Sequence, residues 1–253
     1  MKVKELVSYF EDILRISDFS NADISLNGLQ VGNLEADVKK LAFAVDASLA
    51  TIEAAVKQGA DMLFVHHGMF WGRPIAITGR HYKRVKTLLE NNVALFACHL
   101  PLDANLELGN NAQMAKKLGV EKLEQFSFFR GVHVGVKGLL PRPMEADEII
   151  AKLGVRRDER TLIIGDPKRK IQKVGIVSGD GASDMYDALG EGLDALITGE
   201  ARYTMFNDCM EEPAFTLMCL GHYETEVFGV KAVMDKISQM GLETCFVDVP
   251  ISI

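Results

Sequence analysis

Gly59-Ala-Asp-Met-Leu-Phe-Val-His-His67 and Gly192-Leu-Asp-Ala-Leu-Ile-Thr-Gly-Glu200 are the two stretches whose comparison decides the fold. Each carries an apolar run with strand character, and each ends in side chains that bear chemistry. Upstream, Lys40-Leu-Ala-Phe-Ala-Val45 matches Lys173-Val-Gly-Ile-Val-Ser178 at the same offset, which sets His67 opposite Glu200. Downstream, Val93 to Asp103 resembles Thr216 to Glu226. That match sets His99 opposite His222 and Asp103 opposite Glu226, with the spacing His-x-x-x-carboxylate kept in both copies. The chain reads as a duplicated α/β unit.

Between these anchors, helix and strand signals alternate. Val3, Leu6, Val7, Phe10, Ile13 and Leu14 share one helical face over residues 3–15. Leu41–Val45 reads as a buried strand. Ser48 to Gln58 reads as a helix with Ser48 as N-cap and Gly59 as the terminating glycine. Met62–Val65 is the next strand, Tyr82–Glu90 a helix and Val93–Cys98 a strand. This alternation predicts an α/β protein of layered α/β/α architecture. Two lobes are expected, at residues 1–125 and 126–253. Residues 126–170 carry strand signals at Phe126–Phe129, Val132–Val136 and Thr161–Ile164, and a helix signal at Glu145–Leu153. Pro141, Pro143 and Pro167 punctuate this segment, which is too ordered for a linker and belongs to the second lobe.

Composition bounds the function. A chain of 253 residues buries roughly three-quarters of its unfolded surface and needs no disulfides. Hydrophobic residues at 48% and charged residues at 25% are ordinary for a globular protein. A net charge of −7 argues against nucleic-acid binding driven by phosphate neutralisation. The basic clusters Arg156-Arg157 and Lys168-Arg169-Lys170 are expected on a solvated surface. Cys98, Cys209, Cys219 and Cys245 form no C-x-x-C pair, and Cys98 and Cys219 lie in apolar runs as core residues. No apolar run reaches the ~18 residues of a membrane span. The N-terminal stretch reads as an amphipathic helix, not a signal peptide, so a reducing cytoplasm is the expected compartment.

His66-His67, Asp103 and the His222–Glu226 pair all fall just after apolar runs, so one site at a sheet edge is expected to gather them. Adjacent strand residues point to opposite faces. Gly68 relaxes the backbone there, and two neighbouring histidines serve two metals more easily than one. Imidazoles mixed with carboxylates suit Fe, Mn, Zn, Co or Ni rather than Ca or Mg. Asp103 or Glu226 is suited to bridge the pair, at the 3.5–4 Å spacing usual in two-metal sites, which activate water at neutral pH. Taken singly, each feature has a plainer reading. Asp103 caps a helix from Asn105 onward, and His222 with Glu226 is an i, i+4 pair that steadies a helix. His99 is either a ligand or a support for one, and His81 and His133 read as structural. Ser178-Gly-Asp-Gly-Ala-Ser183 reads as a tight turn more readily than as an anion cradle; it has neither the G-x-G-x-x-G pattern nor a P-loop lysine.

His66-His-Gly-Met-Phe-Trp71, His99-Leu-Pro-Leu-Asp-Ala104, Glu107-Leu-Gly-Asn-Asn111, Thr198-Gly-Glu200, Gly221-His-Tyr-Glu-Thr-Glu226 and Asn27-Gly-Leu-Gln-Val-Gly32 together resemble the signature segments of one family. It is the Nif-three-like dinuclear metal-centre family, often labelled GTP cyclohydrolase 1 type 2 homologues. The resemblance spans essentially the whole chain and is to the short bacterial form. It implies two interlocked α/β lobes, two divalent metal ions between them, and a toroidal homohexamer. His66, His67, Asp103, His222 and Glu226 match the family's ligand positions, and His99 falls beside them. Gly68 departs from the pattern, since many relatives carry proline there.

The function expected is a metal-dependent hydrolase acting on a nucleotide or related heterocycle, GTP included, with Glu226 or Glu200 moving protons. The alternative is a non-catalytic metal-binding scaffold or metal-delivery protein. Nucleic acid and membrane are not expected partners.

Overall fold

The structure is a computed structural model that describes residues 1–158 and 161–251. The chain forms two compact units. Unit 1 comprises Met1–Leu102 and Val230–Val249, and unit 2 is built on Asp103–Gly229. The boundary expected at residues 125/126 falls inside a strand of unit 2, Glu121–Phe129.

Unit 1 contains a five-stranded sheet in the order β1-β4-β3-β2-β11. Its strands are β1 (Gly28–Val31), β2 (Lys40–Asp46), β3 (Met62–His67), β4 (Ala94–Ala97) and β11 (Glu243–Phe246). All pairs are parallel except β1 with β4. Phe43, Phe64 and Phe96 stand in register across β2, β3 and β4. Helix α1 (Val3–Ile13) lays Phe10 on that row, with ring centroids 5.1 Å from Phe64 and 5.0 Å from Phe96. The alternate residues Ala42, Ala44, Leu63, Val65, Leu95 and Ala97 form a second core. That core includes Ile52 and Ala55 of α2 (Leu49–Lys57) and Leu88 of α3 (Gly79–Glu90). Both sheet faces are therefore covered, which is why these strands read as continuous apolar runs. Ser48 caps α2 as expected, its Oγ accepting the Thr51 N–H at 3.1 Å, and Gly59 follows with φ +72°.

Unit 2 holds α4 (Leu100–Ala104, which begins in unit 1), α5 (Asn110–Leu118), β5 (Glu121–Phe129), β6 (Val132–Met144), α6 (Ala146–Leu153) and β7 (Leu162–Ile164). These are followed by β8 (Ile171–Ile176), α7 (Met185–Gly190), β9 (Ala195–Thr198), α8 (Tyr203–Met210), β10 (Thr216–Cys219) and α9 (His222–Ser238, which runs on into unit 1). The six strands are ordered β5-β6-β8-β9-β10-β7. One core packs α5 and α6 on the sheet through Met114, Leu118, Ile149 and Leu153. The other packs Met185 and Ala188 of α7 and Cys209 of α8 against Leu196, Leu217 and Cys219.

The repeat is present in topology. β2-β3-β4 and β8-β9-β10 are parallel triplets, and β1 and β7 each close a triplet antiparallel to its third strand. The match extends to single bonds. Asp61 Oδ2 accepts the Lys39 and Lys40 N–H groups at 2.8 and 3.0 Å; Asp194 Oδ2 accepts those of Gln172 and Lys173 at 2.9 and 2.8 Å.

The segment over residues 126–170 lies in unit 2, with longer strands than the apolar pattern suggests. β5 starts at Glu121 because it is an edge strand whose first five residues are exposed, so no apolar run marks them. β6 continues past Val136 to Met144. Its ladder with β8 shifts register between Leu139 and Met144, so Pro141 and Pro143 fall where no ladder donor is required. The basic clusters are paired: Arg157 with Asp147, and Lys168 and Lys170 with Glu145. Among the described residues no helix is long and apolar enough to cross a membrane.

Asp61→Ala or Asp194→Ala removes one acceptor from two backbone donors at a strand start. Each is expected to lower unfolding stability by about 1–3 kcal/mol in urea titration, and an unchanged midpoint would contradict this role.

Candidate metal centre

In unit 1 the chemistry collects at the C-terminal ends of parallel strands, the usual place for sites in α/β sheets. His66 and His67 end β3, Asp46 ends β2, and His99 follows β4. The ring centroids of His66 and His67 are 4.6 Å apart, and His99 lies 5.2 and 5.6 Å from them. One nitrogen from each lies within 4.8 Å of the others. His99 therefore stands with the histidine pair.

Each ring is oriented by an oxygen on its Nδ1. His66 Nδ1 is 2.9 Å from the Cys98 carbonyl, which only accepts, so Nδ1 donates. His67 Nδ1 is 2.9 Å from Asp46 Oδ1, a residue paired with it in register across β2 and β3. His99 Nδ1 is 3.0 Å from Asp23 Oδ1. A neutral imidazole donating from Nδ1 carries its lone pair on Nε2. A metal-binding histidine is typically held in this way.

Asp23 is the most elaborated of these supports. Its side chain is 1% exposed, and it also accepts from the Asn27 amide and the Ser25 and Leu100 N–H groups. Burial pushes its carboxyl up, but His99, Asn27 and the Ser25 amide outweigh that and hold it below its ordinary value. Asn27 Oδ1 accepts the His99 N–H at 2.7 Å, and Gln30 Oε1 accepts the Met69 N–H at 2.7 Å. The Asn27–Gly32 segment thus braces both histidine loops.

In unit 2, His222 opens α9 after Gly221, whose φ is +98°. Glu226 lies one turn on, with Oε1 3.0 Å from His222 Nε2. Donors bonded to one ion at about 2.1 Å stand about 3.0–3.4 Å apart, so this contact fits a shared metal. His222 Nδ1 is 2.6 Å from Glu200 Oε1, so Glu200 holds this ring as Asp46 holds His67. Asp103 Oδ1 accepts from Asn110 Nδ2 at 2.9 Å and Ser178 Oγ at 2.8 Å. An Asp103 oxygen also lies within 4.8 Å of one of Glu226. Asp103 and Glu226 are 7% and 3% exposed, so both carboxylates are taken out of bulk water, where a cation is the natural partner.

The Ser178–Ser183 turn is a tight turn with committed donors. The N–H groups of Ser178, Gly179 and Gly181 go to Asn111 Oδ1, Thr225 Oγ1 and Thr198 Oγ1 at 2.7, 3.0 and 3.0 Å. Gly179 has a packing role, since a Cβ there would sit 2.4 Å from Glu226 Oε1 and 3.1 Å from His222 Nε2. His133 packs on Phe128 with ring centroids 5.1 Å apart.

The supports Asp23, Asp46, Asn110 and Ser178 were not found by sequence reasoning. Asp46 had a local signal, closing the apolar run Leu41–Val45. Asp23 had none, because its bond to His99 spans 76 residues.

The fold and these donor sets define a two-unit α/β protein with imidazole and carboxylate groups suited to transition metals. The chain belongs to the Duf34/NIF3 (NGG1p interacting factor 3) family, whose model matches residues 1–251. A Deinococcus radiodurans relative named GTP cyclohydrolase 1 type 2 homolog is 41% identical over 247 residues, 97% of this chain and 92% of its own. A structural-genomics structure, protein ybgI of unknown function, matches 100% of both chains with TM-score 0.88 and 35% identity. A Thermus thermophilus crystal structure does so with TM-score 0.87 and 36% identity.

Trp71, the single tryptophan, stands edge-on to His99 with centroids 4.9 Å apart. Titration with Co(II) is expected to quench its emission; an unchanged spectrum with metal bound would place the ion away from His99 and His67. Gly179→Ala is expected to lower metal affinity at least about tenfold while leaving the circular dichroism spectrum intact, because Glu226 must shift. Parent-like affinity would show that Glu226 tolerates the displacement.

Proposed function

We propose that this chain binds two divalent transition-metal ions through His66, His67, Asp103, His222 and Glu226 and hydrolyses a nucleotide or related heterocycle. The observation that carries the reading is that His66, His67 and His222 each have an oxygen on Nδ1, which prepares Nε2 for coordination. His99 shares this arrangement through Asp23. Relatives named GTP cyclohydrolase 1 type 2 homolog support GTP as the first substrate to try.

When bound, such ions supply an activated water and a Lewis acid for a carbonyl or phosphoryl oxygen. The chain's own contributions are distinct. Ser178 and Asn110 fix one Asp103 oxygen and orient the other. Glu226 is the carboxylate placed to accept and return a proton beside His222. Glu200 keeps His222 in its tautomer and is the second carboxylate placed to move protons at this site. We further infer a toroidal homohexamer, as the family resemblance implies, working in a reducing cytoplasm, as the cysteine usage suggests.

Elemental mass spectrometry of untagged protein purified without chelators is expected to give about two metal equivalents per chain. Glu226→Ala is expected to lose at least half of that and all metal-dependent GTP turnover. Metal without turnover across nucleotide, phosphoester and amide substrates would leave a metal-binding scaffold or delivery protein. No metal after reconstitution with Fe, Mn, Zn, Co and Ni would overturn both.

A further inference from the structure

Unit 2 places a guanidinium beside its metal donors. Arg202 lies two residues after Glu200, the carboxylate that holds His222. Its Nε is 2.8 Å from Asp180 Oδ1, and its Nη2 bonds Asp180 Oδ2. Asp180 is the neighbour of Gly179, where an added Cβ would sit 2.4 Å from Glu226 Oε1 and 3.1 Å from His222 Nε2. The Arg202–Asp180 pair is thus anchored one residue along the chain from a glycine at which a side chain would crowd these donor atoms. Asp184 and Glu200 are also within electrostatic reach of the guanidinium.

This pair is open to water, with side chains 47% and 41% exposed. Exposed ion pairs are held weakly. A guanidinium fork matches two oxygens of a carboxylate and two of a phosphate equally well, and a phosphate brings more charge. Tyr203, the next residue, is 95% exposed, and Phe206 on the same helix is 45% exposed. An arginine followed by an uncovered aromatic ring offers a charge and a stacking face together, the two features that recognise a phosphate carried on a heterocycle. The Ser178, Gly179 and Gly181 N–H groups of the turn are committed to side chains, and Asp180 of the same turn holds the arginine.

We propose that Arg202 is the anion-recognition residue of this site and takes the phosphate of a phosphorylated heterocycle, with Asp180 holding the guanidinium until that anion displaces it. Tyr203 stacks on the ring of the same ligand. This rests on the hydrolytic reading above and names its substrate class.

Calorimetric titration of the full chain, as purified and after chelation, with inorganic phosphate and with guanosine monophosphate tests it. Asp180→Asn frees the guanidinium and is expected to tighten phosphate binding about fivefold, a gain that a merely structural ion pair would not give. Arg202→Gln is expected to abolish the binding that remains after chelation. Tyr203→Ala should leave inorganic phosphate unaffected and weaken the nucleotide about fivefold. Equal phosphate affinity in the parent, Asp180→Asn and Arg202→Gln would overturn the proposal. A Tyr203→Ala variant that changes oligomeric mass but not nucleotide affinity would make the ring an interface and remove the stacking role. Elemental analysis of the same samples keeps the two readings apart: a parent without metal sinks the hydrolytic reading, whereas an intact metal content with unchanged phosphate binding sinks only this one.

Discussion

An imidazole is a useful metal ligand only when one nitrogen is occupied and the other is aimed, and much of this structure follows from meeting that condition four times. His66 leans on a main-chain carbonyl, His67 on Asp46, His99 on Asp23 and His222 on Glu200. Each bond fixes a tautomer and a ring plane together. Three of the four acceptors are carboxylates, the usual partners for the second nitrogen of a metal-binding histidine. The cost is burial of charge, and Asp23 shows how it is offset: four neighbouring donors surround a carboxylate that is 1% exposed.

The duplicated architecture makes that condition easier to meet. Parallel strands bring their C-terminal ends to one edge, so residues far apart in sequence arrive together without long loops. The Asp61 and Asp194 carboxylates repeat the same clamp on the backbone entering β2 and β8, which keeps equivalent strands in equivalent register. The copies then diverge at the strand ends. Where unit 1 carries His67, unit 2 carries Glu200, an imidazole in one copy and the carboxylate that holds an imidazole in the other.

Close backbone approach is the second recurring constraint. Gly179 leaves room for Glu226 and His222, and Gly221 takes a left-handed conformation just before α9. Asn110 and Asn111, both fully buried, join Asp103 and Ser178 to neighbouring backbone. Residues of this kind look unremarkable in composition, yet each occupies a position where a larger or apolar side chain would leave a carboxylate misplaced or a buried donor without an acceptor.

Periodicity and spacing alone determined the α/β class, the internal repeat, the strand-end position of His66, His67, His99 and His222, and the His-x-x-x-carboxylate spacing shared by both copies. Those features are local, set by alternation, apolar runs and fixed offsets along the chain. The polar edge strand β5 and the proline-bearing half of β6 escaped that reading because neither carries an apolar run. The grouping of His99 with the histidine pair, and the parts played by Asp23, Asn110 and Ser178, were decided only by tertiary structure. The physical reason is range: a hydrogen bond spanning 76 residues, as between Asp23 and His99, leaves no periodic trace in the sequence and exists only once the sheet has brought its ends together.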